Sequence, residues 1–144
     1  MRPNFLMVSV LTLLFPFAVW SADPKVEELN GTWSPESAEM AGQALPEEAR
    51  KSIKLVIKDD KYTVTIGQKV DEGTAKTDSS AKPKTLDVVG TNGPNKGRTL
   101  LAIYELEGDT LKVCYDLSGK VRPTEFQSKA GTQLFLVTYK RAKS

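Results

Sequence analysis

The side chains able to do acid–base or nucleophilic chemistry are few, and their pattern predicts no catalytic site. The chain of 144 residues has no histidine and a single cysteine, Cys114. Without histidine, neither a Ser-His-Asp nor a Cys-His triad can be assembled, and catalytic zinc loses its usual ligands. Cys114 lies in an alternating strand pattern without a histidine to activate it, which favours a strand residue selected for size. We predict that the protein is not an enzyme.

Three pairs of adjacent acids raise the question of a carboxylate dyad or a calcium site. The pairs are Glu47-Glu48, Asp59-Asp60 and Asp71-Glu72. All lie in turns or polar segments, where we expect carboxylates to be solvated rather than paired for general acid–base catalysis. No loop spaces oxygen ligands as a calcium site requires. We therefore predict no catalytic residues, no metal and no cofactor.

The segment from Gly90 to Arg98 is glycine-rich and basic, as phosphate-binding loops are. A phosphate-binding loop needs glycines at set spacing before a helix N-terminus, whereas here an apolar strand follows. The segment is therefore predicted to be a tight connection between strands. The net charge is only +2, which leaves no basic surface for a phosphate backbone, so we predict no nucleic-acid partner.

Alternating apolar and polar residues predict that the chain after Leu29 consists of short strands. Ile53, Leu55 and Ile57 alternate with lysines, and a second alternating run follows after the turn Asp59-Asp60, which predicts a β-hairpin. The predicted strands are residues 30–38, 53–57, 62–66, 70–76, 85–89, 100–106, 110–115 and 134–139. The runs at 100–106 and 134–139 are apolar on both faces, so both faces should be covered. Eight such strands favour a barrel or a sandwich.

One segment has the pattern of a helix. Pro46 stands at a first helical position, and acids fill the first turn of Pro46 to Lys51. This predicts one or two helical turns after the first strand.

The first 22 residues have the pattern of a secretory signal peptide. A lone positive charge at Arg2 precedes an apolar run that Pro16 interrupts, and the small residues Ser21 and Ala22 follow. We expect cleavage near Ser21 or Ala22 and export to the periplasm or beyond the cell, with no stable membrane anchor afterwards. A retained transmembrane anchor is the alternative. Residues 23–28 form a linker, 29–141 the domain and 142–144 a tail.

Two segments resemble the ends of lipocalin-like barrels. Leu29-Asn30-Gly31-Thr32-Trp33 is similar to the Gly-x-Trp signature, and Arg141 stands where lipocalins place a basic residue over that tryptophan. The chain from Leu29 to Arg141 also resembles a functionally uncharacterised family of exported lipocalin-like domains abundant in planctomycetes. The further segments that carry this resemblance are 44–48, 92–97, 103–112 and 122–126.

The resemblance implies an all-β fold, a single eight-stranded antiparallel lipocalin-like barrel with one short helix after the first strand. It implies a structural role for Gly31, Trp33 and Arg141, since an indole under a guanidinium gains cation–π energy. The sequence departs from true lipocalins because it lacks a disulfide and a Thr-Asp-Tyr block. The resemblance therefore implies the fold more strongly than ligand transport.

A barrel of eight strands is either filled by its own side chains or holds one small ligand, and this choice decides the function. The first hypothesis is a binder of a small apolar or amphipathic molecule, whose wall candidates are Tyr62, Val64, Tyr104, Tyr115 and Phe135. The second is a protein-interaction module with a filled core, such as a protease-inhibitor-like barrel or a domain for a cell-envelope protein. Either one is expected to be a monomer.

A further candidate is the connection before the last strand, which contains Arg122, Glu125 and Phe126. Arg122 and Glu125 are predicted to pair with each other, or Phe126 to plug a barrel end. A contact with a ligand or partner at the rim is the alternative, because loops often carry function.

Overall fold

The computed structural model describes residues 27–143, which form a closed barrel of antiparallel strands. The predicted signal peptide, residues 23–26 of the linker and residue 144 lie outside the described residues. The elements are a 3-10 turn at Glu27–Leu29, β1 Gly31–Met40, β2 Gln43–Ala44, α1 Glu47–Lys51, β3 Ile53–Lys58, β4 Lys61–Ile66, β5 Lys69–Asp78, β6 Lys84–Asn92, β7 Thr99–Glu107, β8 Thr110–Asp116 and β9 Leu134–Arg141.

The strands follow one another around the barrel in chain order. Each strand from β3 to β9 pairs with its neighbour in sequence, and β9 returns to pair with β1, which closes the sheet. The two-residue β2 pairs with the end of β1, so eight strands form the wall. The predicted all-β, eight-stranded antiparallel barrel with one short helix after the first strand is confirmed, and the sandwich alternative is wrong.

The β3–β4 hairpin shows how the sequence pattern builds the wall. The alternating residues Ile53, Leu55 and Ile57 are buried, and Leu55 and Ile57 pair with Val64 and Tyr62 on β4. Because successive side chains on a strand point to opposite faces, one residue in two enters the interior. On the opposite face of β3, Lys54 and Lys58 are exposed and Val56 is half-buried.

The wall has an opening between β1 and β3. Strand β1 pairs with β3 only over Gly31 to Trp33, and with β9 from Trp33 to Met40, with an irregularity near Pro35. Pro35 has no N–H to donate to a neighbouring strand. It therefore suits the part of β1 that no longer pairs with β3. Helix α1 lies over this opening, and the Arg50 guanidinium donates a hydrogen bond to the Pro35 carbonyl at 3.0 Å. None of the helix residues is buried.

The interior is packed at one end of the barrel, called here the closed end. The 3-10 turn lies at this end, and its Leu29 is fully buried together with Trp33, Leu111, Val113 and Val137. The outer face of β7 and β8 is also covered, because Ile103 and Cys114 are buried outside the interior core and Cys114 Sγ lies 3.4 Å from the Gln127 carbonyl. The connection 117–133 thus covers the outer face of β7, which was predicted to be covered on both sides, and that of β8, for which no such cover was predicted.

Candidate ligand-binding cavity

The other end of the barrel contains a cavity of about 410 Å³. Around its opening the lining residues come from α1, the end of β4, the β6–β7 connection and the start of the β8–β9 connection. Its wall is mainly apolar and includes residues from all eight wall strands and from the segment around α1. The apolar and aromatic lining residues are Met40, Leu45, Ala49, Ile53, Leu55, Ile57, Tyr62, Val64, Ile66, Ala75, Leu86, Val88, Leu100, Tyr115, Leu117, Phe135 and Tyr139. An apolar concavity of this size has the character of a small-molecule site.

Four of the five wall residues predicted from the sequence line this cavity. Tyr62 and Val64 come from β4, Tyr115 from β8 and Phe135 from β9. The rings of Tyr115 and Phe135 lie 6.0 Å apart between centroids. Tyr104 does not line the cavity; it is buried in the core cluster, with Lys84 Nζ 6.0 Å from its ring centroid. Tyr104 on β7 pairs with Val113 on β8, in the packed part of the barrel.

The small residues of β5 make room for the Tyr62 ring. Tyr62 pairs with Gly73, and a Cβ on Gly73 would lie 2.7 Å from Tyr62 Cε1 and 1.9 Å from the carbonyl oxygen of Val89. The β5–β6 register also shifts between Glu72 and Gly73. Gly73 therefore allows β6 and the tyrosine ring to approach β5 closely.

The main polar group in the cavity wall is Asp71, which is only 5% exposed. Its carboxylate accepts three hydrogen bonds: from the Tyr62 hydroxyl at 3.1 Å, the Asn95 backbone N–H at 3.0 Å and the Asn95 side-chain amide at 2.9 Å. The prediction of a solvated carboxylate at Asp71 is wrong, because the residue faces inward on β5, in phase with Gly73 and Ala75. That phase in the sequence could have indicated its burial.

Two tyrosine hydroxyls form a second polar contact in the wall. The hydroxyls of Tyr115 and Tyr139 lie 3.0 Å apart. Burial raises the pKa of Tyr139 to about 12, and burial followed by the neighbouring tyrosine raises the pKa of Tyr115 well above its usual range. Burial, and then the charge of Asp71, likewise raise the pKa of Tyr62. All three phenols therefore stay protonated near neutral pH: Tyr62 donates to Asp71, and one hydroxyl of the Tyr115–Tyr139 pair donates to the other.

Arg98 places a positive charge at the opening of the cavity. Its guanidinium donates a hydrogen bond to the Asn95 side-chain oxygen at 3.2 Å and another to the Leu117 carbonyl. The side chain is exposed, and Asn95, Arg98 and Leu117 all line the cavity. The segment is the tight connection that its sequence predicted, but the closure of this connection over the end of the barrel was not predicted.

The signature residues Gly31, Trp33 and Arg141 come together at the closed end. Arg141 Cζ lies 4.5 Å from the centre of the Trp33 ring, and the two residues pair between β1 and β9. The Arg141 guanidinium also donates to the carbonyls of Asn30 at 2.8 Å and Glu28 at 3.1 Å, and the Trp33 indole donates to the Leu29 carbonyl at 2.8 Å. These residues join the chain before β1 to the last strand and do not line the cavity.

Gly31 has its own reason to be glycine. Its φ is +145°, and a Cβ there would lie 3.2 Å from Arg141 Cγ. A side chain would therefore meet both backbone strain and the stem of the arginine.

The predicted rim residues lie outside the cavity and make other contacts. Arg122 forms an ion pair with Asp87 and donates to the Ala102 carbonyl at 2.9 Å. Glu125 instead accepts a hydrogen bond from the Gln127 amide. Phe126 is half-buried, with Lys112 Nζ 5.8 Å from its ring centre. The predicted pairing of Arg122 with Glu125 and the predicted plug by Phe126 are both wrong, because the connection lies along the outer wall.

The part of the chain that the structure describes contains neither a metal site nor a membrane-spanning helix. Between residues 27 and 143, no group of three His, Cys, Asp or Glu side chains is arranged to hold a metal ion. No helix in the same part of the chain has the length and apolar character of a membrane span. Comparisons of the chain with protein-family models, curated proteins and solved structures found no match. The resemblance to exported lipocalin-like domains therefore stays a prediction.

Proposed function

We propose that this chain is an exported, non-catalytic binding protein that holds one small apolar or amphipathic molecule in its barrel. The observation that carries the proposal is the cavity of about 410 Å³, open at one end and lined mainly by apolar side chains. Ligand sites of proteins have volumes of about 300–1,000 Å³ with a few placed polar groups. The Tyr62–Asp71–Asn95 contacts and Arg98 are such groups.

The energetic cost of an open interior supports a ligand over a protein partner. Cavities left in protein cores cost roughly 24 cal/mol per Å³, because their walls lose packing contacts. A barrel whose only task was to present a surface would gain stability by filling this space with larger side chains. The alternative, a protein-interaction module with a filled core, would need larger side chains at positions such as Ala75 and Val88. Both residues line the cavity and leave it open.

Export is proposed from the first 22 residues alone. The charge at Arg2, the apolar run and the small residues Ser21 and Ala22 support it. The full-length gene, expressed in a bacterium with a C-terminal tag, should yield a product cut near Ser21 or Ala22. An intact mass that includes the first 22 residues would contradict cleavage and favour the anchor.

Binding is tested on that purified product with the neutral fluorescent probe N-phenyl-1-naphthylamine. We expect saturable binding with one site per chain and a blue-shifted emission, because the probe enters an apolar environment. Val64→Trp places a large ring in the cavity and should weaken binding at least about tenfold, since overfilling costs 1–3 kcal/mol. Thr63→Trp, on the neighbouring outward position, is the matched control and should leave probe affinity near that of the parent.

Native mass spectrometry of the same product provides an independent measurement. Extra mass that disappears after organic extraction would support the proposal and identify the native ligand. If the probe does not bind, or if Thr63→Trp and Val64→Trp weaken it equally, the cavity is not the site. A search for a protein partner in the cell envelope would then follow.

A further inference from the structure

We infer that the ligand is a single-chain amphiphile with an anionic head, whose tail of about ten carbons fills the cavity while its head binds the Arg98 guanidinium. This inference rests on the proposed function and adds the chemical class of the ligand. It depends on three observations: the volume of the cavity, the charges in its wall, and the position of Arg98 at the opening.

The volume limits the size of the tail. A group the size of a water molecule takes about 30 Å³ of liquid volume. A space of about 410 Å³ therefore holds roughly fourteen groups of about that size. A chain of roughly ten carbons fits this space, whereas a sterol, with more than twice as many carbon atoms, does not.

The lining of the cavity supports an unbranched tail. Aliphatic side chains from opposite strands, including Leu55, Ile57, Leu86 and Leu100, surround the space. The packed residues around Trp33 close its far end. A chain that enters at the opening can bury most of its length only along the barrel axis, which leaves its head at the opening.

The charges at the opening decide the sign of the head. Among the described lining residues, Asp71 and Arg98 are the two with charged side chains. Asp71 is 5% exposed and already accepts three hydrogen bonds, from Tyr62 and Asn95. Little of its acceptor capacity is therefore left for a cationic head.

Arg98 has the opposite properties. Its side chain is exposed, and its two hydrogen bonds, to Asn95 and Leu117, use only part of the five N–H donors of a guanidinium. A guanidinium binds carboxylate, phosphate and sulfate through pairs of parallel hydrogen bonds. The Asn95 and Leu117 contacts also hold the group at the rim of the opening, where a ligand head would lie.

The test compares probes of equal chain length and different head charge. Decanoate, decyl sulfate, decanol and decylamine each displace N-phenyl-1-naphthylamine from the purified protein at neutral pH. We expect both anions to bind at least about tenfold more tightly than decanol, and decylamine more weakly than decanol. Because Arg98 is exposed, this preference should shrink as salt shortens the screening length from about 10 Å at 0.1 M to about 3 Å at 1 M.

Variants separate a ligand contact from a structural role. Arg98→Gln should bring the anions to the affinity of decanol while the neutral probe binds as before, and Arg98→Lys should keep part of the preference. Thermal unfolding of both variants without ligand reports any structural effect. If Arg98→Gln weakens the neutral probe and the anions by the same factor, the residue only holds the connections together, and the assignment is overturned.

Other outcomes would assign the head elsewhere. Equal binding of all four probes would leave an apolar binder without the anionic head. Tightest binding of decylamine, lost in Asp71→Asn, would assign a cationic head to the buried carboxylate instead. Loss of the anion preference in Tyr139→Phe, with Arg98→Gln unaffected, would place the head deep among the tyrosines. Absence of probe binding would overturn the proposed function itself.

Discussion

Replacing Arg141 by methionine should destabilise the protein by about 2–3 kcal/mol. Methionine keeps an unbranched stem over Trp33 but removes the guanidinium, which lies 4.5 Å from the ring centre and donates to the Asn30 and Glu28 carbonyls. The perturbation therefore removes the contacts that join the last strand to the segment before β1.

The magnitude follows from the separate contacts. Each hydrogen bond from the charged group to a carbonyl contributes about 1 kcal/mol, reduced because the side chain of Arg141 is 27% exposed. The cation–π contact adds about 0.5–1 kcal/mol at such a site. The ion pair with Asp109 adds little, because that carboxylate is 72% exposed and solvent screens the pair.

Urea unfolding measures the effect through the shift of the midpoint at constant slope. Lys140→Met is the matched control: it removes a neighbouring exposed cation whose recorded hydrogen bond goes to the Thr110 hydroxyl, and it should change stability by less than about 0.5 kcal/mol. Arg141→Lys should lie between the two, since an ammonium keeps the charge but not the planar fork. The reasoning is refuted if Arg141→Met loses no more stability than Lys140→Met.

Three further predictions concern other parts of the barrel. Gly73→Ala should cost more than about 2 kcal/mol in thermal unfolding, because its Cβ would meet a carbonyl oxygen at 1.9 Å. Gly108→Ala, with open space around its Cβ, should cost only about 1 kcal/mol of left-handed strain, and equal losses would contradict the close approach. Although burial alone would raise the pKa of Asp116, hydrogen bonds from a serine hydroxyl and three backbone N–H groups lower it below 3.8. The stabilisation from this carboxylate is complete above its pKa in the unfolded chain and is lost as the pH falls through its pKa in the folded protein. The difference in unfolding free energy between the parent and Asp116→Asn should therefore be constant above about pH 5 and shrink below about pH 4. Burial raises the pKa of the Cys114 thiol, which should react with an aromatic disulfide reagent at least about a hundredfold more slowly in the native protein than in urea; equal rates would show that the covering connection opens freely.

The strands could be predicted from the sequence because alternation is a local signal. All eight wall strands and the helix after the first strand fall where the pattern indicated, with ends that differ by a few residues. The inward phase of Tyr62, Val64, Tyr115 and Phe135 followed from the same rule. The phase of Tyr104 is also inward, but alternation carries no information on depth along the barrel, which decides between the cavity and the packed end.

The polar contacts could not be predicted because they join distant parts of the chain. Arg122 pairs with Asp87, 35 residues away, rather than with the nearby Glu125. The burial of Asp71 depends on Asn95, whose connection folds over the end of the barrel. A sequence pattern reports which face of a strand a residue occupies, but not which loop covers it.

The partial pairing of β1 with β3 makes the two ends of the barrel mechanically unequal. At Trp33 the ring of hydrogen-bonded strands is closed, because β1 pairs there with both β3 and β9. Beyond Trp33, β1 and β3 no longer pair, and the short, exposed helix α1 lies over the gap between them. The Arg50 side chain of this helix donates a hydrogen bond to the Pro35 carbonyl of β1. The open end of the cavity can therefore widen when α1 is displaced, without loss of the ladder hydrogen bonds between strands. Entry of the ligand that we propose would then require only a local hinge movement, while the rest of the barrel keeps its shape.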